Sequence, residues 1–209
     1  MTSFNVVAYF NSLPDDVESI DISNRNLKYI PPLDRFTNLK SFNCSDNQIF
    51  ILPVLPKTLI ILNVEHNSLF SLPKELPPNL EEFYCSYNHL DWLPNLPDTL
   101  RNLWIHNNEI LELPNLPRDL RYLMCEFNRL EYLPYLPPNL IKLMCSNNEL
   151  RYLPVLPPNL EVIWFDNNEI IFMPEFPDTL RIIHYTRFPG MKCPRFPEGA
   201  LVSYEEAYI

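Results

Sequence analysis

The side chains of this 209-residue chain that could carry chemistry are its five cysteines, four histidines and 26 acidic residues. Their spacing carries little. Cys44, Cys85, Cys125 and Cys145 form no CxxC pair of the kind that holds zinc, and an odd cysteine count argues against a disulfide framework. Cys193 stands alone, without the acid partner and surrounding fold a nucleophilic thiolate would need. No two of His66, His89, His106 and His184 have zinc-motif spacing, and they read as solvated polar surface. There is no GxSxG, and two glycines, Gly190 and Gly199, leave no room for a phosphate-cradling loop. We therefore expect no catalytic residue, no cofactor and no metal.

The pattern that does recur is structural. Asn47, Asn67, Asn88, Asn108, Asn128, Asn148 and Asn168 follow one another at 20 residues, with one step of 21 near Lys74 and Glu75. The unit around them reads LPxLPxxLxxLxxxxNxL. Val17, Ile20, Ile22, Leu27 and Ile30 form a longer first copy with Arg25 at the Asn position. Leu180, Ile183 and Tyr185 begin a last copy that fails at Arg187. The reading is nine strand-bearing units over 13–186, an N-terminal cap over 1–12 and a C-terminal cap or tail over 187–209.

Each position has a physical task. Phe83-Tyr84-Cys85 alternates with period 2, which makes a short strand with one face inward. Stacked units then give a parallel sheet. Asn suits the turn because its amide can bond backbone groups of the neighbouring loop. The LPxLP return is extended or polyproline-II-like, because Pro fixes φ and lacks an N–H. Twenty residues leave little room for a helix. The column Cys44, Cys85, Cys125 and Cys145 faces inward and reads as small buried hydrophobes that stay thiols, although Cys125 and Cys145 are on adjacent strands roughly 5 Å apart. Trp92, Tyr132, Tyr152 and Phe172 lie just before the return and read as packing between convex turns. Phe4, Val7, Phe10 and Leu13 could cover one end of the stack; Phe188, Phe196, Leu201 and Tyr204 could cover the other.

This unit resembles the leucine-rich-repeat family, and within it the short, proline-rich class found in bacterial secreted effectors such as Yersinia outer protein M and the IpaH effectors. The resemblance spans about 13–186. It implies a mainly β repeat solenoid: a leucine-rich-repeat horseshoe with a parallel concave sheet, polyproline-II-like convex segments and few or no helices. Similar repeats occur in giant-virus proteins, and the Asn- and Tyr-rich, Gly-poor composition is compatible with such a source. IpaH effectors carry a separate ubiquitin-ligase domain with a catalytic Cys; the roughly 23 residues after Thr186 are too few to hold one.

The formal net charge of −10 disfavours phosphate backbones and anionic lipid, so neither nucleic acid nor membrane is expected as a partner. No apolar stretch approaches the roughly 20 residues of a membrane-crossing helix. The N-terminus MTSFNVVAYFNSLPDD lacks the basic start of a cleavable signal. A cytoplasmic location, in the source cell or a host cell, is expected.

Register exposes the one feature beyond fold. If Phe83 and Cys85 point in, Tyr84 points out, and the same column holds Asp21, Asn43, Asn63, Tyr84, Trp104, Met124, Met144, Trp164 and His184. From Tyr84 to Trp164 it is large and apolar. Beside it lie Tyr122 on one flank, and Ser86, His106, Glu126, Ser146 and Asp166 with Tyr87 and Phe127 on the other. An aromatic and Met centre with a polar rim is the anatomy of a protein-binding region. The leading expectation is a non-enzymatic module that binds a protein through this ridge. Alternatives are a recognition subunit working with a catalytic partner in trans, a self-assembling component, and aromatics that serve only cross-strand packing. A monomer is expected, with self-association the competing state.

Overall fold

A computed structural model describes residues 4–187 and 195–206. Short parallel strands follow one another at the period read above: β1 (Ser19–Asp21), β2 (Ser41–Asn43), β3 (Ile61–Asn63), β4 (Glu82–Tyr84), β5 (Asn102–Trp104), β6 (Tyr122–Met124), β7 (Lys142–Met144), β8 (Val162–Trp164), β9 (Ile182–Arg187) and β10 (Leu201–Glu206). They form one ten-stranded sheet in chain order. One helix, α1 (Val6–Ser12), occurs among the described residues. The chain is a mainly β repeat solenoid, as the period required.

The central residue of each triplet, from Ile20 and Phe42 through Phe83 and Leu123 to Ile183, is buried, and so is the residue two places on, such as Ile22, Cys44, Cys85 and Ile105. Each unit adds two more layers to the same core, for example Leu90 and Leu93, or Leu130 and Leu133. No unit encloses these side chains alone, so stability is carried by neighbour-to-neighbour stacking.

The return path ends in a turn that the sequence reading did not specify. Within the Pro-rich segments, Pro56, Pro77, Pro97, Pro117, Pro137, Pro157 and Pro177 each offer their carbonyl to the amide three residues on, as in Leu80 N to Pro77 O at 3.2 Å. Pro loses nothing there, since only its carbonyl is used.

The other turn is bound by the Asn column. Asn128 Nδ2 donates to the carbonyls of Ile105, Cys125 and Glu126 at 3.0, 3.2 and 3.2 Å, while its Oδ1 accepts the Ile110 amide at 3.0 Å. Asn67, Asn88, Asn108, Asn148 and Asn168 repeat this arrangement. Asn47 serves the longer first unit, where Arg25 gives only its amide, at 3.1 Å. The residue before each ladder Asn is left-handed: Asp46, His66, Tyr87, Asn107, Phe127, Asn147 and Asn167 have φ between 51° and 56°. Asn and Asp adopt that conformation readily; Tyr87 and Phe127 adopt it against steric cost.

At the N-terminal end, Asn5 caps α1 by accepting the Ala8 amide at 3.0 Å. Phe10 packs edge-on against Phe36, ring centroids 5.5 Å apart. Arg35 ties the helix end down through the carbonyls of Phe10 and Leu13. At the other end the structure differs from the expected nine units. The repeat does not stop at Arg187, because β10 pairs in parallel with β9, Ser203 opposite His184 and Glu205 opposite Thr186. The signal was present in the chain: Phe196-Pro197 stands 20 residues after Phe176-Pro177, and the two Phe rings stack 5.6 Å apart. Cys193, Gly190 and Phe188 lie outside the described residues.

Candidate functional site

The open face of the sheet holds the ridge. Strand register places Tyr84, Trp104, Met124, Met144, Trp164 and His184 on consecutive strands, each opposite the next. At about 4.8 Å between strands this gives one unbroken line of side chains. Tyr84 and Trp104 meet edge to face at 4.8 Å, and Trp164 and His184 lie 5.6 Å apart. Trp164 is 39% exposed; the others are half-buried against one another. Burial and a hydrogen bond to Glu82 push the Tyr84 phenol up to about 12, so it is a neutral donor at any physiological pH. Toward β1 the same column holds Asn63, Asn43 and Asp21, and the ridge becomes polar.

Of the flanking residues, Tyr122 stands one column away, exposed beside Lys142 and Asn102. Tyr87 and Phe127 lie past the ends of β4 and β6, at the left-handed turn positions, and are 44% and 53% exposed. Tyr87 stacks on His66, centroids 4.1 Å apart, and meets His106 edge-on at 5.2 Å. The period alone did not reveal the left-handed backbone conformation at these two positions.

The polar rim is a correction. Ser86, Ser146 and Asp166 are buried rather than solvated, because the chain turns directly after them and folds over them. Ser86 Oγ lies 2.8 Å from His106 Nδ1, and Ser146 Oγ donates to Asp166. His106 is thus no free surface histidine; burial lowers its pKa from 6.5. Burial raises the carboxyl pKa of Glu65 and Glu126. Glu126 Oε2 is buried with no hydrogen-bond partner, the one such side-chain atom among the described residues. His89 stacks on Phe70 on the turn flank, 3.8 Å from Glu109.

A second correction concerns Trp92, Tyr132, Tyr152 and Phe172. They are not buried between turns, although the Tyr132 hydroxyl donates to Glu112 of the neighbouring turn at 2.8 Å. All are exposed, Phe172 to 79%, because the position just before the inward Leu of each return points away from the core. The four inward cysteines are buried thiols, with burial pushing the Cys44 thiol up to about 12 and the other three well above the ordinary range. Such sulfurs are packing atoms, not nucleophiles.

Short parallel strands, an Asn-bonded turn and a helix-free return define a leucine-rich-repeat solenoid of the shortest kind. The chain belongs to the leucine-rich-repeat family. It is 32% identical to the leucine-rich-repeat domain of a Shigella effector, with 82% of this chain and 70% of that one covered and a TM-score of 0.59. It is 31% identical to YopM from Yersinia enterocolitica WA-314, covering 93% of this chain and 52% of that one at a TM-score of 0.81. It is 29% identical to YopM of Yersinia pestis, a leucine-rich effector protein, at 88% and 59% coverage and a TM-score of 0.77. The chain thus spans between half and three fifths of the YopM chains it matches. No protein-family model and no curated protein matches it. Among the described residues, no helix is long and apolar enough to cross a membrane.

Proposed function

We propose that this chain is a non-enzymatic interaction module that binds a protein partner through the ridge on its concave sheet. The observation that carries the reading is the unbroken column from Tyr84 to Trp164. Large apolar side chains at exposed strand positions are not needed to build a repeat whose other units place Asn or Asp there. Trp, Tyr and Met side by side, half-buried and already ordered, give a partner contact area at low entropic cost. The likeness to YopM and to the Shigella effector domain supports the reading, since those chains are effectors built on the same scaffold.

The test is affinity purification from the native or host cell with wild type and Trp104→Ala/Trp164→Ala. The double variant should fold and lose a partner by about 2 kcal/mol or more. Partners recovered equally with both proteins would refute the ridge as the binding surface. Sedimentation of the purified chain separates a foreign partner from self-association, which would appear as a concentration-dependent dimer abolished by the same substitutions.

A further inference from the structure

Three side chains from three successive units converge at the C-terminal end of the ridge, around His184. Asp166 follows β8, His184 lies on β9 and Glu205 lies on β10. One ligand atom from each, two carboxylate oxygens and an imidazole nitrogen, lie within 4.8 Å of one another. His184 Nε2 stands 3.6 Å from Asp166 Oδ1. That is too long for a hydrogen bond. It is close to roughly 3.4 Å, the ligand-to-ligand edge of a tetrahedron with bonds of about 2.1 Å.

The outer atoms of this trio are held in place. His184 Nδ1 is 2.7 Å from Ser203 Oγ. With Nδ1–H donating to that hydroxyl, the lone pair sits on Nε2, which faces the carboxylates; this is how metal-binding histidines are oriented. Asp166 is buried and accepts from Ser146 Oγ and from Asn167 Nδ2. Asn167 Nδ2 also reaches Glu205 Oε2 at 3.3 Å, so one amide draws two carboxylates together. Thr186 is paired with Glu205 and is small enough for them to meet above it; its Oγ1 accepts the Asn167 amide at 2.5 Å. Trp164 closes one side, its ring 5.6 Å from that of His184. Two like charges gathered around an oriented imidazole, on a chain of net charge −10, are a place for a cation.

We infer that Asp166, His184 and Glu205 form a binding site for a divalent transition metal of the zinc class. One nitrogen and two carboxylate oxygens suit Zn²⁺ or a similar ion and leave a coordination position for water or a further ligand. Mg²⁺ is disfavoured, because it prefers oxygen ligands alone and keeps its waters. The ligands stand 18 and 21 residues apart on neighbouring strands, so no local motif displays them. The ion would tie β10 to β8 and β9. The inference does not depend on the ridge binding anything.

The experiment is calorimetric titration of the chelator-treated full chain with ZnCl₂, with MgCl₂ as control, and visible spectroscopy of the Co²⁺ complex. One Zn²⁺ should bind per chain and raise the melting temperature, with no Mg²⁺ binding at the same concentrations. Co²⁺ should give the visible absorption of a site with nitrogen and oxygen donors and fewer than six ligands. His184→Ala should abolish it. Glu205→Gln, at an exposed position, should weaken Zn²⁺ at least about tenfold and leave the melting temperature of the metal-free protein unchanged. Absence of stoichiometric Zn²⁺ binding would overturn the proposal. So would Zn²⁺ binding indifferent to both His184→Ala and Glu205→Gln, which would put the ion elsewhere on the chain.

Discussion

Tyr84 and Trp104 meet edge to face across β4 and β5, ring centroids 4.8 Å apart and planes at 78°. The geometry is that of a favourable aromatic pair, worth roughly 0.5–1.5 kcal/mol beyond the area it buries. A double-mutant cycle with Tyr84→Ala and Trp104→Ala, followed by urea unfolding, should return a coupling of that size. The ridge's remaining contribution should then appear in partner binding. A coupling of several kcal/mol, with no effect on binding, would make the column a structural seam instead.

Phe127 offers a sharper separation of stability from function. It occupies a left-handed turn, φ 53°, where neighbouring units place Asn107, Asn147 and Asn167. Phe127→Asn should stabilise the fold by about 0.5–1 kcal/mol, because Asn reaches this conformation at less steric cost. If the exposed ring contacts a partner, the same change weakens binding. A variant that is both less stable and equally well bound would contradict both halves of this expectation.

Asn128 should behave in the opposite way. Asn128→Ala orphans the Ile110 amide and removes a donor from three carbonyls, at about 1–3 kcal/mol per buried group left unsatisfied. A loss of about 3 kcal/mol or more is expected in equilibrium unfolding. Asn128→Asp should fare no better, since a carboxylate would face those carbonyls.

Stability should vary with pH through two half-buried groups of opposite sign. The Glu126 carboxyl is raised above 4.5 by burial, so the folded state holds its proton more tightly. Its contribution is complete below about 4.5 and is lost as pH rises through the raised value. His106 is lowered below 6.5, also by burial. Its contribution is complete above 6.5 and is lost as pH falls from there toward the lowered value. In urea unfolding at a series of pH values, Glu126→Gln should flatten the decline at rising pH, and His106→Gln the decline at falling pH.

The sulfur column supplies a control. Cys44, Cys85, Cys125 and Cys145 are buried with raised pKa values. In the native protein they should resist iodoacetamide, and all four should react once it is denatured. Mass spectrometry after native labelling that shows any of them modified would mean that the adjoining units open readily.

How legible this molecule was in its sequence depended on period. Asn recurring at 20 residues dictates both the turn and the strand spacing, so the solenoid and the Tyr84–Trp164 column followed from counting. What counting could not show was backbone sign and burial. Nothing in the letters of Tyr87 or Phe127 announces a positive φ, because Gly, the usual marker, is absent from those turns. Ser86 and Asp166 read as rim because polar residues usually are; the turn that covers them is a three-dimensional fact. β10 was hidden by its departure from the consensus, with Ala200 in the place that Leu180 fills one unit earlier. Asp166, His184 and Glu205 meet only through that strand.

The Asn ladder also bears on how such a chain changes over generations. Each unit brings its own strand, its own turn ligand and its own side chain for the open face, and it contacts only its neighbours. A tandem duplication of one unit's codons would therefore insert a complete layer, lengthening the face by about 4.8 Å without disturbing the rest. Partner choice could then be altered by adding or deleting layers as well as by substituting side chains.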